Sequence, residues 1–174
     1  MIRTISILSL TAVLGACANP ITGPVATANL QATKGNAASG VVTFGQGNGK
    51  VFVSGEIKGL KPNAEHGFHV HEKGDCSSGD GMSTGGHFNP TSKPHGAHGD
   101  MGSDAHHVGD LPVLKADANG SVKFNFESTS ITVGSGVANI VGRGLIVHRD
   151  PDDYKTQPTG NAGPRIACAV ITQN

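Results

Sequence analysis

Gly67-Phe68-His69-Val70-His71 alternates apolar side chains with imidazoles, and that alternation governs how the rest of the chain is read. In an extended strand successive side chains point to opposite faces, so His69 and His71 share one face while Phe68 and Val70 share the other. Two imidazoles on one rigid face can reach a single ion. The pentapeptide therefore predicts a β-strand with metal-binding capacity on one side.

Upstream of it, Val25–Thr33, Gly40–Phe44 and Val51–Leu60 are short segments rich in Val, Thr and Ile, separated by Gly-Asn or Lys-Gly turn signals. Downstream, Leu111–Ala116 and Ser121–Phe126 flank Asp117-Ala118-Asn119-Gly120, whose Asn-Gly predicts a hairpin turn. Val137–His148 and Arg165–Thr172 complete eight predicted strands. The chain has 174 residues, 26 of them Gly and none Trp, and no sustained apolar stripe at helical spacing. These features predict one all-β domain, an eight-stranded antiparallel Greek-key β-barrel or immunoglobulin-like sandwich with long insertions between a few strands.

The longest such insertion is His87 to Asp110, which holds five of the nine histidines among Gly and Pro. It lacks helical or strand periodicity, so something other than a backbone ladder must hold it, and metal coordination is the natural candidate. A His-rich surface tract is the alternative. The histidines then fall into two sets: His69, His71 and distant His148 on strands, and His87, His95 and His107 with Asp110 in the loop. Nitrogen and oxygen donors without thiolate suit Zn²⁺, and imidazoles on rigid strands suit copper.

Residues 1–16 carry one charge, Arg3, then an apolar run from Ile5 to Leu14 that is too short to span a bilayer. This predicts a signal peptide and an exported protein. Leu14-Gly15-Ala16-Cys17 resembles the bacterial lipobox, which would make Cys17 a lipidated N-terminus and residues 17–24 a tether before a domain spanning 25–174. An ordinary cleavage site with an incidental Cys is the alternative. Three thiols in an exported chain leave one over; with Cys17 set aside, Cys76 and Cys168 can pair, two buried free thiols being the other reading. Thirteen basic and thirteen acidic residues cancel, so no bulk attraction to nucleic acid is expected, and membrane contact is expected only through the anchor.

Gly67-Phe-His-Val-His-Glu72, Gly86-His-Phe-Asn-Pro90, His107-Val-Gly-Asp-Leu111, Gly142-Arg-Gly-Leu-Ile-Val-His148 and Gly160-Asn-Ala-Gly-Pro-Arg-Ile-Ala-Cys168 resemble Cu,Zn superoxide dismutase, in family order and over residues 25–174. The resemblance implies copper on His69, His71, His87 and His148, and zinc on His87, His95, His107 and Asp110, with His87 bridging. It implies that one superoxide gives an electron to copper and leaves as dioxygen. A second superoxide takes the electron back and leaves as hydrogen peroxide, while His87 exchanges a proton. Arg165 matches the arginine that orients the superoxide anion. Asp152 matches the aspartate that links His69 to His95. His66 matches a structural histidine, and His98 and His106 are expected to be solvated loop residues.

Departures from the family are also legible. The connection from His148 to Arg165 is shorter than the charged loop of eukaryotic members, and Cys76–Gly86 is longer, as in bacterial members. Lys73, Lys93 and Lys155 are candidates to supply positive potential. The reading admits a monomer or a homodimer, in the periplasm or bacterial cell envelope. A non-catalytic copper or zinc carrier on the same barrel is the rival, against which stand the full ligand set and Arg165. A copper-only dismutase would lack the zinc loop, and an immunoglobulin-like adhesion domain would need no histidine constellation.

Overall fold

A computed structural model describes residues 21–98 and 105–174. Among the described residues nine strands form, β1 (Ile21–Ala32), β2 (Ser39–Gly47), β3 (Val51–Lys58), β4 (Glu65–His66), β5 (Phe68–His71), β6 (Leu114–Lys115), β7 (Val122–Ser128), β8 (Gly144–His148) and β9 (Arg165–Gln173). Seven make one curled antiparallel sheet in the order β5-β8-β9-β1-β2-β3-β7, and β4 pairs with β6. The expected antiparallel β-barrel is what the chain builds, with nine strands in place of the eight expected, because Glu65–His66, not read as a strand, pairs with Leu114–Lys115. Its inner face carries Ala26, Leu30, Phe44, Ile57, Val70, Leu145 and Ile171, all fully buried. Phe68 on one edge strand meets Phe124 on the other at 5.6 Å, edge to face, so the sheet's two ends meet across the core.

Three strand expectations change. β1 starts at Ile21, so residues 21–24, expected in the tether, belong to the barrel. Pro24 is tolerated because the register with β2 shifts between Ile21 and Val25, a bulge where no ladder donor is needed. The Asp117–Gly120 turn forms, Gly120 N–H donating to the Asp117 carbonyl at 3.1 Å. It does not join a hairpin, however, because β6 pairs with β4 and β7 with β3. β8 is five residues long, not twelve, since Gly134, Gly136 and Gly142 adopt positive φ and turn the preceding segment. Cys17 and the lipobox lie outside the described residues.

β5 is the sheet's edge, but it is not left open. Phe88 N–H donates to the Val70 carbonyl and Val70 N–H to the Gly109 carbonyl, each at 2.8 Å. Both ends of the His-rich loop thus zip onto β5, pairing His71 opposite His87 and His69 opposite Asp110. That pairing satisfies edge groups that would otherwise be free to recruit another strand.

Candidate metal centre

Strand parity sets up the centre. Phe68, Val70, Leu145 and Val147 point into the core, so His69, His71, Ile146 and His148 point outward from β5 and β8. β9 would place Arg165 on the inner face with Ala167, but the ladder skips Ile166: Val147 pairs with Ala167 and His148 with Arg165. Ile166 packs in the core, and this bulge turns Arg165 to the outer face beside His148.

Two groups of buried donors result, His69, His71, His87 and His148, and His87, His95, His107 and Asp110, the candidate ligand atoms of each lying within 4.8 Å of one another. His71 Nε2 and His148 Nε2 are 3.3 Å apart, and His87 Nδ1 and His107 Nδ1 3.4 Å. A tetrahedral ion with metal–nitrogen bonds of about 2.0–2.1 Å holds its donors about 3.3–3.4 Å apart. Asp110 Oδ1 lies 2.9 Å from His87 Nδ1, and its Oδ2 lies 3.0 Å from His95 Nδ1 without hydrogen-bond alignment. His87 thus directs Nδ1 to the second group and leaves Nε2 for the first.

Buried His69 Nδ1, His87 Nε2 and His95 Nδ1 have no hydrogen-bond partner among the described residues. An orphaned buried nitrogen is costly, and a cation removes that cost. The opposite ring nitrogens are all held. His69 Nε2–H donates to Asp152 Oδ2 at 2.6 Å and His95 Nε2–H to Asp152 Oδ1 at 2.8 Å. His71 Nδ1–H donates to the Gly85 carbonyl and His148 Nδ1–H to the Gly163 carbonyl, both at 3.0 Å. Fixing one nitrogen as a donor leaves the other as a bare lone pair aimed at the ion. The donor chemistry and these orphaned atoms fit copper and zinc.

Charge follows the same plan. Burial, then the neighbouring His69, pushes His87 down to about 3. Burial likewise holds His71 and His148 well below the ordinary imidazole value, so all three stay neutral at physiological pH. Burial also works against a charged His95, but the Asp110 carboxylate 3.0 Å from Nδ1 and the Asp152 carboxylate bonded at Nε2 outweigh it and raise the ring to about 9. Burial raises Asp110, yet the hydrogen bonds from His107 and His87 and the nearby His95 ring more than reverse this and hold it below the carboxylate range.

The other sequence candidates sort clearly. Cys76 and Cys168 form a disulfide across 92 positions. Arg165 donates through Nη1 to the Gly81 carbonyl (2.6 Å) and Thr84 Oγ1 (2.8 Å) and through Nη2 to the Gly85 carbonyl (2.6 Å). His66 is buried, its Nδ1–H donating to the His148 carbonyl at 2.9 Å. The expectation of a solvated His98 is overturned: it is fully buried, with Nε2 2.9 Å from Ser128 Oγ, because the loop folds it onto the end of β7. His106 is half-buried, its Nδ1–H donating to the His107 carbonyl. Lys73, Lys93 and Lys155 are exposed. Two residues escape sequence reading. Gln157 brackets the His95 backbone, accepting from its N–H at 2.8 Å and donating to its carbonyl at 2.9 Å. Thr84 is buried beside Arg165 and His71. A lone Gln or Thr in a loop carries no local signal.

Comparison with known proteins places this geometry. Residues 38–171 match the family described as copper/zinc superoxide dismutase. Superoxide dismutase [Cu-Zn] of Paramecium bursaria Chlorella virus 1 is 46% identical over 138 residues, 76% of this chain and 71% of that protein. Superoxide dismutase [Cu-Zn] of Saccharomyces cerevisiae is 45% identical over 147 residues, 79% of this chain and 92% of its own. Among solved structures, one described as the clock protein EA4 superposes with a TM-score of 0.76 at 43% identity, covering 85% of this chain and 93% of that one.

Proposed function

The chain belongs to the copper/zinc superoxide dismutase family, and we propose that His69, His71, His87 and His148 hold its copper and His87, His95, His107 and Asp110 its zinc. The enzyme converts superoxide to dioxygen and hydrogen peroxide, with copper and zinc as cofactors. One observation carries the residue assignment: two buried donor sets share His87, one ring nitrogen serving each.

Copper supplies the one-electron couple, and the protein supplies everything around it. Arg165, half-buried beside His148, binds and orients the superoxide anion through guanidinium N–H donors that the loop leaves free. His87 Nε2 is the ring atom that holds the proton destined for peroxide. Asp110 fixes the His87 ring from its other side at Nδ1. Asp152 ties His69 to His95, so the two donor sets share one carboxylate and move together. Burial of every donor excludes bulk water and limits access to small species.

Residues 1–16 are read as a signal peptide and Cys17 as a lipidated anchor, giving an exported enzyme on the bacterial envelope or in the periplasm, as a monomer or homodimer. The composition of the N-terminal segment supports this reading. Intact mass of membrane-extracted protein tests it, since an unmodified N-terminus would rule out the anchor. Dismutation by metal-reconstituted protein tests the function; a correctly folded, fully metallated sample without copper-dependent activity would overturn it.

A further inference from the structure

Thr84 lies just outside the motifs that carry the family likeness, which resume at Gly86, yet its side chain is fully buried at the centre of a small network. Its Oγ1–H donates to the Gly81 carbonyl at 2.8 Å, and its oxygen accepts from Arg165 Nη1 at 2.8 Å. The same oxygen lies 3.3 Å from His71 Nδ1. The neighbouring Gly85 carbonyl accepts from both His71 Nδ1–H and Arg165 Nη2–H. A hydroxyl has one proton and two lone pairs; Gly81 takes the proton, Arg165 uses one lone pair, and the other faces the His71 Nδ1–H, which it shares with the Gly85 carbonyl.

The consequence for Arg165 is geometric. A guanidinium has five N–H donors in one plane. Two on Nη1 go to Gly81 and Thr84 and one on Nη2 goes to Gly85, leaving Nε–H and one Nη2–H unused among the described residues. Thr84 also closes the turn Met82–Thr84 onto Gly81, so it sets the place of a second acceptor as well as supplying its own. Without the hydroxyl, one Nη1–H is unmatched, the Gly81 carbonyl keeps only the longer 3.3 Å bond from the Thr84 backbone N–H to hold it in the turn, and two acceptors in place of three hold the guanidinium plane.

We propose that Thr84 is a positioning residue for superoxide dismutation, its hydroxyl locking the Arg165 guanidinium to the His71 side of the metal centre so that the unused donors face the incoming anion. The inference rests on Arg165 as the anion-binding arginine. The test compares T84V and T84S with the parent as fully metallated holoproteins. Three quantities are read: the dismutation rate constant, azide affinity from the visible absorption of the copper site, and the rate at which phenylglyoxal modifies Arg165. T84V should lower the rate constant and azide affinity together, by roughly three- to ten-fold, and speed Arg165 modification, at unchanged copper and zinc content. T84S, which keeps the hydroxyl, should restore all three. T84V with parental azide affinity and phenylglyoxal rate would overturn the proposal, as would T84S being as impaired as T84V, since the methyl group and not the hydroxyl would then matter. Should T84V fail to fold, T84A in parent and R165Q backgrounds replaces it. The T84A loss should vanish in R165Q, and an equal loss in both backgrounds overturns the proposal. A fully metallated parent without activity would overturn the functional reading instead.

Discussion

His148 and Asp152 separate the two donor sets experimentally. His148 belongs to the first set alone, so H148A should lose copper and at least about 100-fold in activity while zinc stays bound, as metal analysis by mass spectrometry would show. Copper retained at the parental level would refute the ligand assignment. Asp152 touches both sets through the back nitrogens of His69 and His95. D152A should therefore weaken both metals, each by about 10- to 100-fold, although it ligates neither. Loss of one metal only would show that the two histidines are oriented independently. At this scale most of the site is legible in the chain, since each proposed metal donor is a His or Asp in a short motif that can be read locally. Thr84 and Gln157 are not, because their roles come from partners 81 and 62 positions away.

Among the elements, the connection from His148 to Arg165 and the Cys76–Gly86 segment do for the site what strands cannot. Gly160 sits in the first of these with φ 65°, and a Cβ there would come 2.0 Å from Asp152 Oδ1 and 2.5 Å from His95 Nε2. G160A should force those two apart, so zinc affinity should fall with a modest drop in melting temperature; an isothermal titration matching the parent would contradict this. The Cys76–Cys168 disulfide closes 92 positions and is worth about 4 kcal/mol in the chain-entropy picture. It anchors the segment that clamps Arg165, three residues before Cys168. C76S/C168S should lower the melting temperature by roughly 8–16 °C and loosen anion binding as well. A stability loss with parental azide affinity would show that the hydrogen bonds alone hold the arginine. Strand existence was legible in the alternation of β3, β5 and β7, whereas the shortened β8 was not, because its N-terminal half reads as β-forming until the glycines turn it.

The whole molecule is an antiparallel barrel with its metal centre on the outer face of β5 and β8, and the price of that arrangement is a cluster of imidazoles kept neutral by burial. Before metals bind, His87 is held at about 3, and His71 and His148 well below 6.5. The unfolded chain takes up protons on these rings as pH falls through about 6.5 while the folded chain does not, so their contribution to stability is lost on acidification below that point. His95 acts in the opposite sense: raised to about 9, it contributes fully below about 6.5 and loses that contribution as pH rises through 9. Calorimetry of chelator-treated protein should place maximal stability near neutrality, with a steeper fall on the acid side, where three rings act against one. A melting temperature constant from pH 7 to 4.5 would contradict it. Residue type and a spacing of two along a strand were enough for the all-β class, the strand that carries His69 and His71, and two clusters of candidate donors; the sharing of His87 came from the family resemblance, and Cys76 could be matched with Cys168 only by setting Cys17 aside. Folding at long range is what bulges Ile166 and so brings Arg165 out beside His148, buries His98 under the loop, carries β1 back to Ile21 and sets Thr84 against Arg165 and His71. Those outcomes depend on long-range register and loop closure, where a slip of one residue exchanges the faces of a strand.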